Sequence, residues 1–188
     1  MVSSFIKGSS ESPISSSFWQ DFILSSLNYD RKRVSLETFS GEIRCVVLNP
    51  DDLLFVLQFF RDFSCCRFKN LADLIGVDYP EREDRFVVIY QFISTDYGLR
   101  LHVEVSTDEL SSIPSITPLY SNANWFEREA FDMFGIVFSG HPNLRRILTD
   151  YGFEGFPLRK DFPLNGYVEV FYDENQKRVV ADSVSSSQ

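Results

Sequence analysis

Apolar positions along this chain follow two spacings, and each predicts a different element. Phe18, Trp19, Phe22, Ile23 and Leu27 recur at helical spacing behind a small, polar stretch over 8–17. Residues 41–48 read as a strand rich in Val and Ile that ends at Asn49-Pro50. A helix is expected from Asp51, with acidic residues in its first turn, where the dipole favours them. Its apolar positions, 53–57, 59, 60 and 63, run most of the way round, which predicts burial on nearly all sides. Residues 68–79 alternate loosely and end in Asp78-Tyr79-Pro80. Residues 85–93 are dense in Val, Ile and aromatics, and Asp96-Tyr97-Gly98 signals a turn. Beyond it Leu101, Val103 and Val105 alternate with Arg100, His102 and Glu104, so the pair reads as a hairpin with one wet face. No strand–helix–strand rhythm repeats. The fold class is α+β: a small, mainly antiparallel sheet with packed helices, followed by a long extended C-terminal arm.

The most sharply defined helix covers 124–134. Asn124 is placed to cap the amide of Glu127, with Glu127 reaching back, and Gly135 stands where a left-handed residue closes a helix. Ile136 is then placed to touch Phe131 across that end. Phe126, Ala130, Met133 and Phe134 make one apolar face, and Glu127, Arg128 and Asp132 are expected away from it. Arg128 and Asp132 have the spacing of a helical ion pair. Three readings of the charged positions stand side by side. They are a solvated face, an ion-pair network between neighbouring subunits that includes Glu129, or acid–base chemistry by Glu129, Asp132 and His141.

After Gly135 the pattern breaks down. Residues 138–172 hold 8 aromatics, interrupted by Gly140, Gly152, Gly155, Gly166, Pro142, Pro157 and Pro163. Only 144–148 looks able to form a short helix. So many aromatics gain by leaving water, yet the Pro and Gly spacing denies the segment a core of its own. The expected division is a leader over 1–17, an α+β domain over 18–135, an interface arm over 136–180 and a disordered tail over 181–188. The arm would lie on the chain's own sheet, on a partner protein, or on both. Arg145, Arg146, Arg159 and Lys160 are expected to meet carboxylates or carbonyls, and Tyr151, Phe153 and Phe156 to fill apolar partner grooves.

Composition narrows the function classes. The chain of 188 residues is 44% hydrophobic and carries a net charge of −9. The acid is concentrated: residues 41–140 hold 16 Asp and Glu against 8 Lys and Arg, whereas 141–180 hold 6 of each. The richest basic run is Arg31-Lys32-Arg33, so nucleic acid is not an expected partner. No apolar run reaches bilayer length, and membrane association is expected only through partners. The N-terminus, with one Lys and an early Glu, does not read as a transit peptide. Three cysteines, Cys45, Cys65 and Cys66, fall short of the four thiolates an iron–sulfur cluster takes, and His102 and His141 lack metal-ligand spacing. No phosphate-cradling glycine motif and no nucleophile motif is present. The chain is therefore expected to bind no cofactor and to carry no catalytic residue of its own.

One resemblance gives these features a common origin. The run Glu127-Arg-Glu-Ala-Phe-Asp132-Met-Phe-Gly135-Ile-Val-Phe138, then His141-Pro-Asn-Leu-Arg-Arg146-Ile-Leu148, resembles the signature of the 30 kDa subunit family of respiratory complex I. Thr149 to Pro163, Gly166-Tyr-Val-Glu-Val170, Lys177-Arg-Val-Val180 and Gly76-Val-Asp-Tyr-Pro80 are similar to further elements of that family. The resemblance implies a peripheral subunit in the quinone-reducing module, on the matrix side of the mitochondrial inner membrane. It would pack against the large subunit of the quinone site and near the subunit holding the terminal iron–sulfur cluster. Many mitochondrial members continue past the Lys-Arg-Val-Val position with an aromatic tail, where this chain has Ala181 to Gln188 instead. A homologous subunit of a plastid dehydrogenase-like complex or a membrane-bound hydrogenase is the nearest rival reading.

Overall fold

A computed structural model describes residues 34–39 and 42–184. The leader over 1–17, the helix expected over 18–27, the basic run at 31–33 and residues 185–188 lie outside them.

Five strands form the main sheet: β1 (Val34–Phe39), β2 (Glu42–Val47), β3 (Asn70–Asp78), β4 (Phe86–Ser94) and β5 (Leu99–Thr107). Their order is β1-β2-β5-β4-β3, and the β2–β5 pairing is parallel while the other three are antiparallel. The expected hairpin is β4–β5, with Phe86 opposite Thr107 and Ser94 opposite Leu99. Leu101, Val103 and Val105 are fully buried, as are Val88 and Tyr90 on β4. The opposite, wetter face carries Arg44 between Glu37 and Glu104, and Glu42 bonded to His102 and Arg100.

Helix α1 (Leu53–Asp62) follows a short 3-10 turn, Pro50–Asp52, in which the Asn49 side chain accepts the Asp51 amide. Leu53, Val56, Leu57 and Phe60 are buried, but Phe55 is 52% exposed. The helix thus buries one stripe instead of nearly its whole surface; the apolar count overstated its burial because a helix on a two-layer sheet has only one neighbour beneath it. Helix α2 (Ala123–Phe134) lies over β3, and β3 leaves room for it at Gly76. A Cβ there would stand 2.7 Å from the Phe134 ring.

The body does not end at Gly135. A short strand β6 (Ser112–Pro114) pairs in parallel with β7 (Val137–Ser139), and Ile136 and Phe138 join the core at 2% exposure. Further on, β8 (Val168–Asp173) and β9 (Arg178–Ser183) form an antiparallel hairpin. Ala181 to Ser183 therefore belong to a strand and not to a tail; the Val and aromatic residues of 168–172 and the Val179-Val180 pair on the two sides of the 174–177 turn supply strand formers for both halves of the hairpin.

Candidate functional site

Between Ser139 and Tyr167 the chain forms no regular element, and residues 144–148 are not helical. The reason is a competing acceptor. The amides of Ile147, Leu148 and Thr149 all point to one carboxylate oxygen, Asp132 Oδ2, at 3.1, 2.7 and 2.9 Å, and the Thr149 hydroxyl donates to Oδ1 at 2.7 Å. Arg146 lies 3.5 Å from the same carboxylate and donates to the carbonyl of Gly155 at 2.9 Å. Asp132 is fully buried. Burial alone would raise its pKa, but the hydrogen bonds from 147–149 outweigh it and hold the carboxyl below the usual range.

A second clamp sits one turn and a half earlier on α2. Glu127 is also fully buried, and it accepts from the Ser115 hydroxyl at 2.6 Å and the Ile116 amide at 2.8 Å. His141 Nε2 lies 3.8 Å from it, with no exposed side-chain surface. The Asn143 amide donates to His141 Nδ1 at 3.0 Å, so the proton belongs on Nε2, which donates to the Asn124 carbonyl at 3.2 Å. Here burial dominates and pushes the Glu127 carboxyl above its ordinary value, against the bonds from Ser115 and Ile116.

The third clamp joins the strap to the sheet. Asp78, at the end of β3, takes a two-pronged bond from Arg85 at 2.7 and 2.9 Å and a third from the Lys160 amide at 2.8 Å. The Arg85 guanidinium, opposed by burial and helped by that amide, holds the Asp78 carboxyl below the usual range. Arg85 also reaches Glu109 and Asp161. Arg159 donates to the carbonyl of Phe134 at 2.6 Å, and the Leu158 amide bonds the carbonyl of Met133 at 3.2 Å. The rings of Phe86 and Phe156 lie under Arg159, at 5.0 and 4.4 Å. These contacts finish the open C-terminal end of α2, whose closing residue Gly135 has φ 81°.

Several sequence expectations are corrected by this geometry. Glu127 and Asp132 do not lie on a solvated face; the 112–117 and 141–149 segments fold over them and satisfy their oxygens. The helix begins at Ala123, so Asn124 is inside it and caps nothing; its side chain accepts instead from Arg128 at 2.6 Å. Arg128 is buried against Trp125, 4.2 Å from its ring, and does not pair with Asp132. Glu129 is exposed, Asp132 is saturated by hydrogen bonds, and His141 faces Glu127, so the acid–base trio is not assembled. Tyr151 is fully exposed and Arg145 and Lys160 are exposed, while Phe153 packs on Phe162 at 5.9 Å and Phe156 is half-buried. Sequence reasoning missed Asp78, Arg85, Ser115 and Thr149. The signal for the first pair was an acid closing one strand and a base opening the next.

Among the described residues no cluster of His, Cys, Asp and Glu is placed to hold a metal ion, and no helix is long and apolar enough to cross a membrane. Fold and site together define an α+β domain that fastens an irregular aromatic strap with buried carboxylates.

The family model described as "Respiratory-chain NADH dehydrogenase, 30 Kd subunit" matches residues 46–168, and the chain belongs to that family. It is 44% identical over 171 residues to the NADH-ubiquinone oxidoreductase subunit 9 of Reclinomonas americana, covering 91% of this chain and 84% of that one. It is 52% identical over 148 residues to an NADH-quinone oxidoreductase subunit of Methylobacterium radiotolerans, covering 79% and 68%. A solved structure of the trypsin-resistant fragment (1–134) of Nqo5 is 30% identical with a TM-score of 0.55, covering 66% of this chain and 98% of that one. The fold also occurs in the structure of an archaeal membrane-bound sulfane sulfur reductase, at 21% identity and a TM-score of 0.66 over 79% of this chain and 85% of that one.

Proposed function

We propose that this chain is the 30 kDa subunit of a proton-pumping NADH:quinone oxidoreductase, complex I, and that it works there as a cofactor-free structural part of the quinone-reducing module. The observation that carries this reading is the match over 46–168, which includes both the clamping helix and the strap it holds. The mechanism is architectural. Asp132 and Asp78 fix the backbone of an otherwise irregular segment through the amides of Ile147, Leu148, Thr149 and Lys160, while Glu127 holds the Ser115–Ile116 turn beside it, so that the segment's exposed side chains (Leu148, Tyr151, Leu158 and Leu164) are presented in set positions. Such preordering lowers the entropy cost of binding a neighbour. The neighbours we assign are the large subunit of the quinone site and the subunit holding the terminal iron–sulfur cluster, with Arg145, Lys160, Tyr151 and Phe153 at the contact. The compartment we assign is the matrix side of the mitochondrial inner membrane, in keeping with the likeness to the NADH-ubiquinone oxidoreductase subunit 9 of Reclinomonas americana.

Native electrophoresis of the enzyme carrying Tyr151→Ala together with Arg145→Glu tests the proposal. The amount of assembled complex should fall severalfold, while the complex that does assemble keeps the same ratio of quinone reduction to NADH oxidation. A normal amount of complex with quinone reduction selectively lost would overturn the purely architectural role.

A further inference from the structure

The β8–β9 hairpin is wet on both sides. Its register places Val168 opposite Ser183, Val170 opposite Ala181 and Tyr172 opposite Val179 on one face. On that face Val168, Val170, Tyr172 and Val179 are each between 59% and 64% exposed. This is the apolar stripe of a strand pair that normally packs on something, and a lone two-stranded hairpin is marginal in water. The opposite face adds a second anomaly. Glu169 stands directly across from Asp182, both exposed, and like charges in that position destabilise the pair. The other charged pair on this face, Asp173 opposite Arg178, has opposite signs, so the repulsion is confined to one end.

From this we infer that the hairpin is a docking element for a neighbouring protein subunit that offers an apolar surface to the Val168, Val170 and Tyr172 face and a lysine or arginine to the Glu169–Asp182 pair. The inference rests on the subunit reading above and says how one part of that contact is recognised. A single cation between the two carboxylates removes the repulsion and gains two charge-assisted bonds, in addition to the Ser183 amide that Asp182 already accepts at 2.8 Å. The acid pair disfavours an anionic lipid surface.

The test compares backbone amide exchange and salt resistance in the full chain alone and in the assembled complex. In the isolated chain, amides of 168–173 and 178–183 should exchange quickly; after assembly they should slow by at least about tenfold, as local opening is suppressed. Asp182→Asn relieves the repulsion, so it should slow exchange in the isolated chain by about two- to fivefold. The same variant should leave the complex at lower salt than the native chain does, and Glu169→Lys at lower salt still. Val170→Ser, on the other face, should reduce assembly without changing its salt dependence. Unchanged salt resistance in both acidic variants would overturn the cation contact. Hairpin protection in the isolated chain that grows with its concentration would show self-association and overturn the partner. If the native chain were missing from the complex altogether, the subunit reading itself would fall, and this inference with it.

Discussion

At the scale of single residues, the buried carboxylates of α2 do the same job with opposite electrostatics. Asp132 is surrounded by donors and stays ionised; Glu127 has fewer donors and resists ionisation. Asp132→Ala strips the acceptor from three amides and a hydroxyl at once. It should cost about 3 kcal/mol or more, read as a drop of roughly 10 °C in Tm by thermal denaturation. Asp132→Asn retains an acceptor and should cost less. The two acids also respond to pH with opposite sign. The lowered pKa of Asp132 means its stabilisation is present above the ordinary carboxylate range and is lost as pH falls through the depressed value. The raised pKa of Glu127 means its contribution is full at acid pH and is lost as pH rises through the raised value. Glu127→Gln should therefore remove a loss of stability on the alkaline side of the carboxylate range. Urea melts at pH 4 and pH 7 check this: the native chain and the variant should differ less in favour of the native chain at pH 7 than at pH 4.

At the scale of elements, Gly135 is the hinge on which helix and strap agree. It closes α2 in the left-handed region, and a Cβ there would stand 2.6 Å from Arg159 and 2.7 Å from Phe156. Gly135→Ala should cost about 2–3 kcal/mol from backbone strain and overpacking. It should also speed tryptic cleavage after Arg159 and Lys160, because the strap is loosened there before the body unfolds. This scale also shows what the sequence made legible. Alternation located β5 and helical spacing located α1 and α2, because each of these buries one face, while the density of Val, Ile and aromatics located β2 and β4. Gly135 was readable because a helix end makes a local demand on one residue. The inward turn of Glu127 and Asp132 was not readable, since an acid on the polar side of a helix carries no mark of the loop that will cover it. Residues 144–148 form no helix for the same reason: the amides of Ile147 and Leu148 are drawn by an acceptor 15 and 16 positions away. The strands β6 and β7 are three residues each, too short for any period to show.

At the scale of the whole molecule, burial is divided unevenly. The sheet and its two helices enclose the apolar core, with free thiols at Cys45 and Cys66 lying inside; burial pushes the Cys66 thiol up to about 12. The strap is fastened from within and uncovered without, and the terminal hairpin is uncovered on both faces. Of the surfaces expected to take the arm, the described residues show the chain's own domain: its backbone is fastened there, while Tyr151 and Leu164 point outward, fully exposed.

The parallel pairing of β2 with β5 sets an order of events during synthesis. Cys45 waits for Val103, a residue made 58 positions later, before its strand acquires an inner neighbour. Until Thr107 has left the ribosome, β1 and β2 can form only an unsupported ribbon, and α1 has no floor to lie on. The Asp132 knot ties later still, once Thr149 has emerged. A nascent chain therefore closes its sheet first and fastens the strap last.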